Sequence, residues 1–168
     1  GIQEYVDAAR LIKKSNLKVR FQILGFLDVD NQTAVLRSDV DLWAEEGIIE
    51  YLGDVDDVRS FIEKSDCVVL PSYREGAPRA LIEASAMGKP TIATDVEGCR
   101  DVVDNGVNGY LCNVRDAHDL AKKMKAMLNM DFKAIKQMGL KGREKMENEF
   151  DERIVIDRYV SIVNKIVS

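Results

Sequence analysis

Two carboxylates and a guanidinium fall close together in PSYREGAPRALIEASAMGKP, residues 71 to 90: Glu75, Arg79 and Glu83, with a Gly76-Ala77-Pro78 turn after the first. A glutamate inside a helix can accept hydrogen bonds from two neighbouring hydroxyls, as a carboxylate does with a ribose. The first turn of that helix would leave the amides of Arg79, Ala80 and Leu81 free. Unpaired N–H groups and the helix dipole attract anions there, and a diphosphate is the natural guest. Gly76 allows close backbone approach, and Pro78 opens the helix without removing a needed donor. Arg79 is mildly unfavourable at a helix start unless a bound anion or a carboxylate compensates it. Two readings stay open. Arg79 and Glu83, at i and i+4, form a surface pair contributing roughly 0.3 to 0.5 kcal/mol, or Arg79 lies by phosphates while Glu83 holds a ribose. Spacing alone favours the pair.

The elements that must position these residues alternate regularly. Ile2, Tyr5, Ala9 and Ile12 give a helical stripe, and VRFQILGF (19 to 26) has strand composition. AVLRSDVDLWAEEG (34 to 47) is helical, IIEYLG (48 to 53) is a strand, and DVRSFIEKS is a short helix. CVVLPS (67 to 72) suits a strand buried on both faces. PRALIEASAMG reads as a helix, PTIATD (90 to 95) as a strand, GCRDVVD as a helix, and GYLCN as a last strand after the turns of DNGVNG. Strands separated by helices predict an α/β fold with a parallel, doubly wound sheet. In such a sheet, ligands bind at the carboxyl ends of the strands, so YREGAPRA would overhang the crevice.

The C-terminal third is helical throughout. Ala117, Leu120, Ala121, Met124, Met127 and Leu128 form one stripe. After Asp151, Val155, Tyr159, Ile162 and Ile166 share a face, with Ile156, Val160, Val163 and Val167 beside it. That apolar arc is wider than one sheet face requires, so part of it is expected to be exposed. The chain also opens into a helix at Gly1, whereas a doubly wound unit normally begins with a strand. The expectation is a 1–150 domain lacking its first strand, followed by a helix over 151–168 that packs toward something outside this chain.

With 168 residues and 46% apolar content, the chain can bury the core of one domain. Its net charge of −5 argues against a surface that holds nucleic acid by neutralising phosphates. Cys67, Cys99 and Cys112 are odd in number and lack a CxxC pattern, so neither a disulfide framework nor a zinc site is indicated. A cytoplasmic setting is expected. The sequon Asn31-Gln32-Thr33 carries little weight without a secretory context. Asp54, Asp56 and Asp57 read as an acidic helix entry, and no metal or cofactor is called for.

VVLPSYREGAPRALIEASAMGKPTIATD, continuing through EGCRDVVDNGVNGYL, resembles the retaining glycosyltransferases of family 4, which have the GT-B fold. The resemblance rests on two glutamates with seven residues between them and the small-residue Gly-x-Pro stretch that follows. Weaker similarity reaches GIQEYVDAARLIKK and IIEYLGDVDDV, so nearly the whole chain is similar to the C-terminal, donor-binding half of such an enzyme. The resemblance implies a Rossmann-like domain and a nucleotide-sugar donor, a substrate rather than a cofactor and a UDP-sugar by the family's habits. It also implies an N-terminal acceptor domain in the same full-length polypeptide.

Carried over residue by residue, the family pattern puts Glu75 against hydroxyls of the donor sugar and Gly76, Ala77 and Pro78 beneath the sugar and its phosphates. Glu83 would hold the ribose hydroxyls, and backbone around Gly53, Asp54 and Val55 would meet the base. The bacterial capsule and lipopolysaccharide transferases with this pattern imply a glycan or lipid-linked acceptor and a site of action reaching the inner face of the membrane, with any membrane contact made by the N-terminal half. The family's Gly-Arg pair and lysine, which bind the diphosphate just before the position of Gly1, have no counterpart here. Arg79 replaces a leucine common among relatives. The fragment alone is expected to be inactive, because transfer requires both substrates aligned. A non-enzymatic nucleotide or sugar-phosphate binding module would keep the anion-binding helix terminus but would not require Glu75.

Overall fold

The computed structural model describes residues 1–15, 18–27 and 34–167, and the side chain of Val167 is outside that set, as is the sequon at 31 to 33. In chain order the elements are α1 (Ile2–Lys13), β1 (Gln22–Ile23), α2 (Arg37–Glu45), β2 (Glu50–Tyr51), α3 (Arg59–Lys64), β3 (Val68–Leu70), α4 (Arg79–Ala86) and β4 (Thr91–Thr94). They continue with α5 (Glu97–Val102), β5 (Gly109–Cys112), α6 (Ala117–Leu128), α7 (Phe132–Glu149) and α8 (Glu152–Val167). The strand–helix alternation follows the sequence reading, and every pairing is parallel.

Helices cover both faces. On β4, Ile92 points into a cluster with Val6, Ile12, Leu120, Met124 and Cys112, whereas its neighbour Ala93 joins Leu81, Cys99, Val102 and Met146. Successive strand residues point to opposite faces, so this split means that α1 and α6 cover one side and α4, α5 and α7 the other. All four residues of β4 are buried. Close packing on the second side depends on Gly139 of α7, where a Cβ would run into the Gly88 carbonyl and the Pro90 ring.

The strands form two groups, β1 with β2 and the ladder β3-β4-β5. Between β1 and β3 lies a cleft of about 790 Å³. Phe21, Gln22 and Leu24 line one side, Val68, Val69 and Leu70 the other, with Ile92, Met124 and Met127 among the residues that complete it. The order β2-β1-cleft-β3-β4-β5 matches the doubly wound order 3-2-1-4-5-6, with the cleft in the position of strand 1. The cleft corrects one expectation: Val68, Val69 and Leu70 are each half-buried rather than enclosed, because among the described residues β3 has a neighbour on one edge only.

Helix α8 follows α7 after a break at Phe150 and Asp151. Its apolar residues from Val155 to Ile166 are all exposed, with Ile166 at 77% and Tyr159 at 69%. Asp151 is held at the turn by Arg153, and this guanidinium keeps its carboxyl near a pKa of about 2.

Candidate active site at the carboxyl edge

Strand β3 delivers the chain into the loop Pro71–Pro78, and α4 carries it back. Pro78 is buried and caps α4, one residue before the first helical position. With no side-chain cap, the opening turn satisfies itself in part: the Leu81 and Ile82 amides both donate to the Pro78 carbonyl, at 3.0 and 3.1 Å. This revises the sequence reading, in which Leu81 was to offer a free amide. The tightened first turn consumes it, and the amides of Arg79 and Ala80 are left without an acceptor among the described residues.

Arg79 Nη2 lies 3.5 Å from Glu83 Oε1, so the i,i+4 pair is formed. It is a loose pair, for the Arg79 side chain is 87% exposed and that of Glu83 41%. Exposed pairs of this geometry contribute little to stability, and their side chains exchange partners readily. Arg79, Ala80 and Glu83 also line the cleft, on the same cavity as Leu52 and Val58, which bracket the connection from β2 to α3. In that connection Gly53 adopts φ +78°, a left-handed conformation that favours glycine, and its carbonyl accepts from the Gly25 amide at 3.0 Å. Asp54 is exposed and Val55 half-buried. Asp57 is engaged at the entry to α3, accepting from the Arg59 amide at 3.0 Å and from its guanidinium. The side-chain hydrogen bonds from Arg59 lower its pKa to about 2.

Glu75 sits in the middle of the loop, half-buried, with no hydrogen-bond or ion-pair partner among the described residues. It is not a wall of the cleft, whereas Glu83 is. Gly76 and Ala77 are exposed between the two glutamates. The structure thus brings Arg79, Ala80 and Glu83 together with the β2–α3 connection, and leaves Glu75 on the loop before them.

Two neighbours of this loop had no part in the sequence reading. Tyr73 donates to Glu4 Oε1 at 2.6 Å, and the Arg115 guanidinium stacks 4.6 Å from the centre of its ring. Arg115 adopts φ 58°, unusual for a residue with a side chain. No motif connects residues 4, 73 and 115, and only the packing of α1 and the β5–α6 connection around the β3 end brings them together. The other neighbour is Gly98 in α5. A glycine inside a predicted helix signals close approach, though the sequence does not say to what.

A parallel α/β sheet with helices on both faces, and a strand-to-helix connection at its carboxyl edge with one glutamate on the loop and one on the helix, is the architecture of one Rossmann-like half of a GT-B glycosyltransferase. Solved structures with this fold include TarM, at a TM-score of 0.83 and 23% identity over 97% of this chain and 32% of that one. Anabaena HepE in complex with UDP-glucose gives a TM-score of 0.83 at 20% identity, over 98% of this chain and 45% of that one. Residues 1–130 match the family described as glycosyl transferases group 1, and the chain belongs to that family.

Among its curated relatives is the N,N'-diacetylbacillosaminyl-diphospho-undecaprenol alpha-1,3-N-acetylgalactosaminyltransferase of Campylobacter jejuni, 28% identical over 99% of this chain. The capsular polysaccharide biosynthesis glycosyltransferase CapM of Staphylococcus aureus is 29% identical over 98%. This chain spans 42% of the length of each.

Proposed function

We propose that the chain is the donor-binding part of a retaining glycosyltransferase that moves a sugar from a nucleoside diphosphate sugar, a UDP-sugar, to a glycan or lipid-linked acceptor in bacterial surface polysaccharide synthesis. The observation that carries this reading is the shared cavity of Arg79, Ala80 and Glu83 with Leu52 and Val58. A nucleotide laid across it has its ribose at Glu83, its diphosphate at the open first turn of α4, and its base toward Gly53, Asp54 and Val55. Glu75, with no partner among the described residues, is then available to the sugar hydroxyls. The names of the relatives, which act in capsule synthesis and on an undecaprenol-linked sugar, support the class of acceptor.

In the reaction, the bond from the anomeric carbon to the diphosphate breaks and its electron pair leaves with the phosphate oxygen. The acceptor hydroxyl bonds to that carbon on the same face and passes its proton to the departing phosphate. Charge develops on the sugar ring and on the leaving group, so catalysis rests on alignment and on the amides and cation at the α4 terminus. Glu75 orients the sugar and does not act as a nucleophile, and the scheme calls for no metal ion. An acceptor-binding domain in the same polypeptide completes the site, and the cleft between β1 and β3 takes the first strand of the donor-binding domain itself. Enzyme action is cytoplasmic in this scheme, at the inner face of the membrane. Among the described residues no helix is long and apolar enough to cross a membrane.

A screen of UDP-, GDP- and ADP-sugars against the full-length polypeptide, with the product's anomeric configuration read by NMR, tests the proposal. One UDP-sugar should be consumed with configuration retained. An inverted product, or no turnover of any nucleotide sugar with acceptors of the polysaccharide class, would contradict it.

A further inference from the structure

The loop that carries Glu75 is held at Tyr73 by Glu4 and Arg115, and around Ser72 and Glu75–Gly76 by the end of β4 and by α5. Thr94, fully buried at the end of β4, donates its hydroxyl to the Ser72 carbonyl. One turn along, Gly98 presses its α-carbon on the backbone of the loop. A Cβ at position 98 would stand 2.7 Å from the Glu75 carbonyl oxygen, 2.8 Å from the Gly76 carbonyl carbon, and closer still to the Gly76 oxygen. These are backbone atoms, so no rotamer change relieves the contact. The loop or α5 itself must shift. The Glu75 charge is also felt at Cys99, the next residue of α5, whose thiol is pushed up to about 11, chiefly by burial and secondarily by that carboxylate. Of the other crowded glycines, Gly1 meets this loop only at its start, against the Pro71 carbonyl, whereas Gly139 faces the Gly88 carbonyl and Gly109 faces Thr91, both remote from the Pro71–Pro78 loop.

We propose that Gly98 is a positioning residue for sugar transfer: the absence of a side chain there lets the Glu75–Gly76 backbone settle on α5 and sets where the Glu75 carboxylate meets the donor sugar. The inference rests on the reading of Glu75 as the sugar-contacting group. Glu83 is carried by α4 and does not depend on Gly98. A side chain at 98 should therefore disturb transfer of the sugar while leaving the nucleotide in place, a separation that a general packing defect would not give.

The test uses the full-length polypeptide with the nucleotide sugar that the wild type turns over, and UDP as the nucleotide probe. Gly98→Ala should lower kcat by about 10²-fold, the scale of a misplacement of about 1 Å, while Kd for UDP stays within about threefold and the melting transition remains cooperative. Thr94→Val, which removes the hydrogen bond to the Ser72 carbonyl without adding volume, should show the same pattern with a smaller loss in kcat, and it keeps the proposal open to refutation if Gly98→Ala does not fold. Gly98→Ala that folds with unchanged kcat overturns the inference, as does a loss of UDP affinity in parallel with kcat. If neither Gly98→Ala nor Thr94→Val lowers kcat while Glu75→Ala does, only the positioning role fails. Unchanged turnover by Glu75→Ala refutes the reading on which it rests.

Discussion

The ladder β3-β4-β5 and the pair β1-β2 come from segments of similar composition and end up very differently built. β4 has a strand on each side and helices above and below, and every one of its residues is buried. Among the described residues β1 has one neighbour, and of the eight residues in VRFQILGF only Gln22 and Ile23 enter a ladder. β-Propensity is much the same in both. What differs is the number of edges satisfied, since a strand is defined by its neighbours more than by its own residues. The cleft between β1 and β3 therefore separates a finished core from a strand pair that, among the described residues, has no strand on its cleft side. Helix α8 carries the same lesson at the other end of the chain, with an apolar arc that none of the described residues covers.

This contrast should show in stability. Ile92, at the centre of β4 and 1% exposed, supports the cluster beneath α1 and α6. Ile92→Ala should cost about 2 to 5 kcal/mol in urea unfolding, from lost transfer energy plus the cavity left behind. A cost below 1 kcal/mol would mean that the ladder is no better packed than its surroundings.

A smaller, pH-dependent effect is expected at α6. Asp116 caps that helix by accepting from the Asp119 amide at 2.9 Å, and this hydrogen bond lowers its pKa below the ordinary value of 3.8. A depressed carboxylate stabilises the fold above its unfolded pKa, and that stabilisation is lost as the pH falls through the folded one. Melting temperature should therefore drop as the pH is taken below about 4, where unfolded aspartates bind protons first. Asp116→Asn, a cap that does not titrate, should flatten part of that slope. An identical acid profile in wild type and variant would show that the cap contributes nothing.

The smallest effect is expected at α8. Ile162→Ala should change the stability of this chain by no more than about 0.5 kcal/mol, because the side chain is 55% exposed and has little packing to lose. A large loss would mean that α8 folds back on the body in solution.

Much of this was legible in the sequence, because the signals were local. Pro71 to Gly88 announced a strand end, a loop and a helix through its punctuation alone, and each of α1 to α6 overlaps a stretch whose periodicity or caps indicated it, α5 starting one residue earlier, at Glu97. The pairing of Arg79 with Glu83 followed from helical spacing. Features set by distant contacts were hidden. The Leu81 amide is consumed because Pro78 offers its carbonyl in a tight first turn, a detail of backbone geometry and not of residue type. CVVLPS has the composition of an enclosed strand, and composition does not reveal that one edge faces a cleft. Glu4, Tyr73 and Arg115 meet across 69 and 42 residues of chain, and Gly98 acquires meaning only once the Glu75 loop lies on it.

In the proposed function Glu83, on the wall of the cleft, holds the nucleotide and is more than the partner of Arg79. The most direct measurement is calorimetric titration of UDP into the full-length polypeptide, wild type against Glu83→Gln. Loss of a charge-assisted hydrogen bond should weaken binding by about 1.5 to 3 kcal/mol, more than tenfold in Kd. Unchanged UDP affinity in Glu83→Gln, together with a stability loss in Arg79→Ala, would contradict the account and leave the two residues as a surface pair.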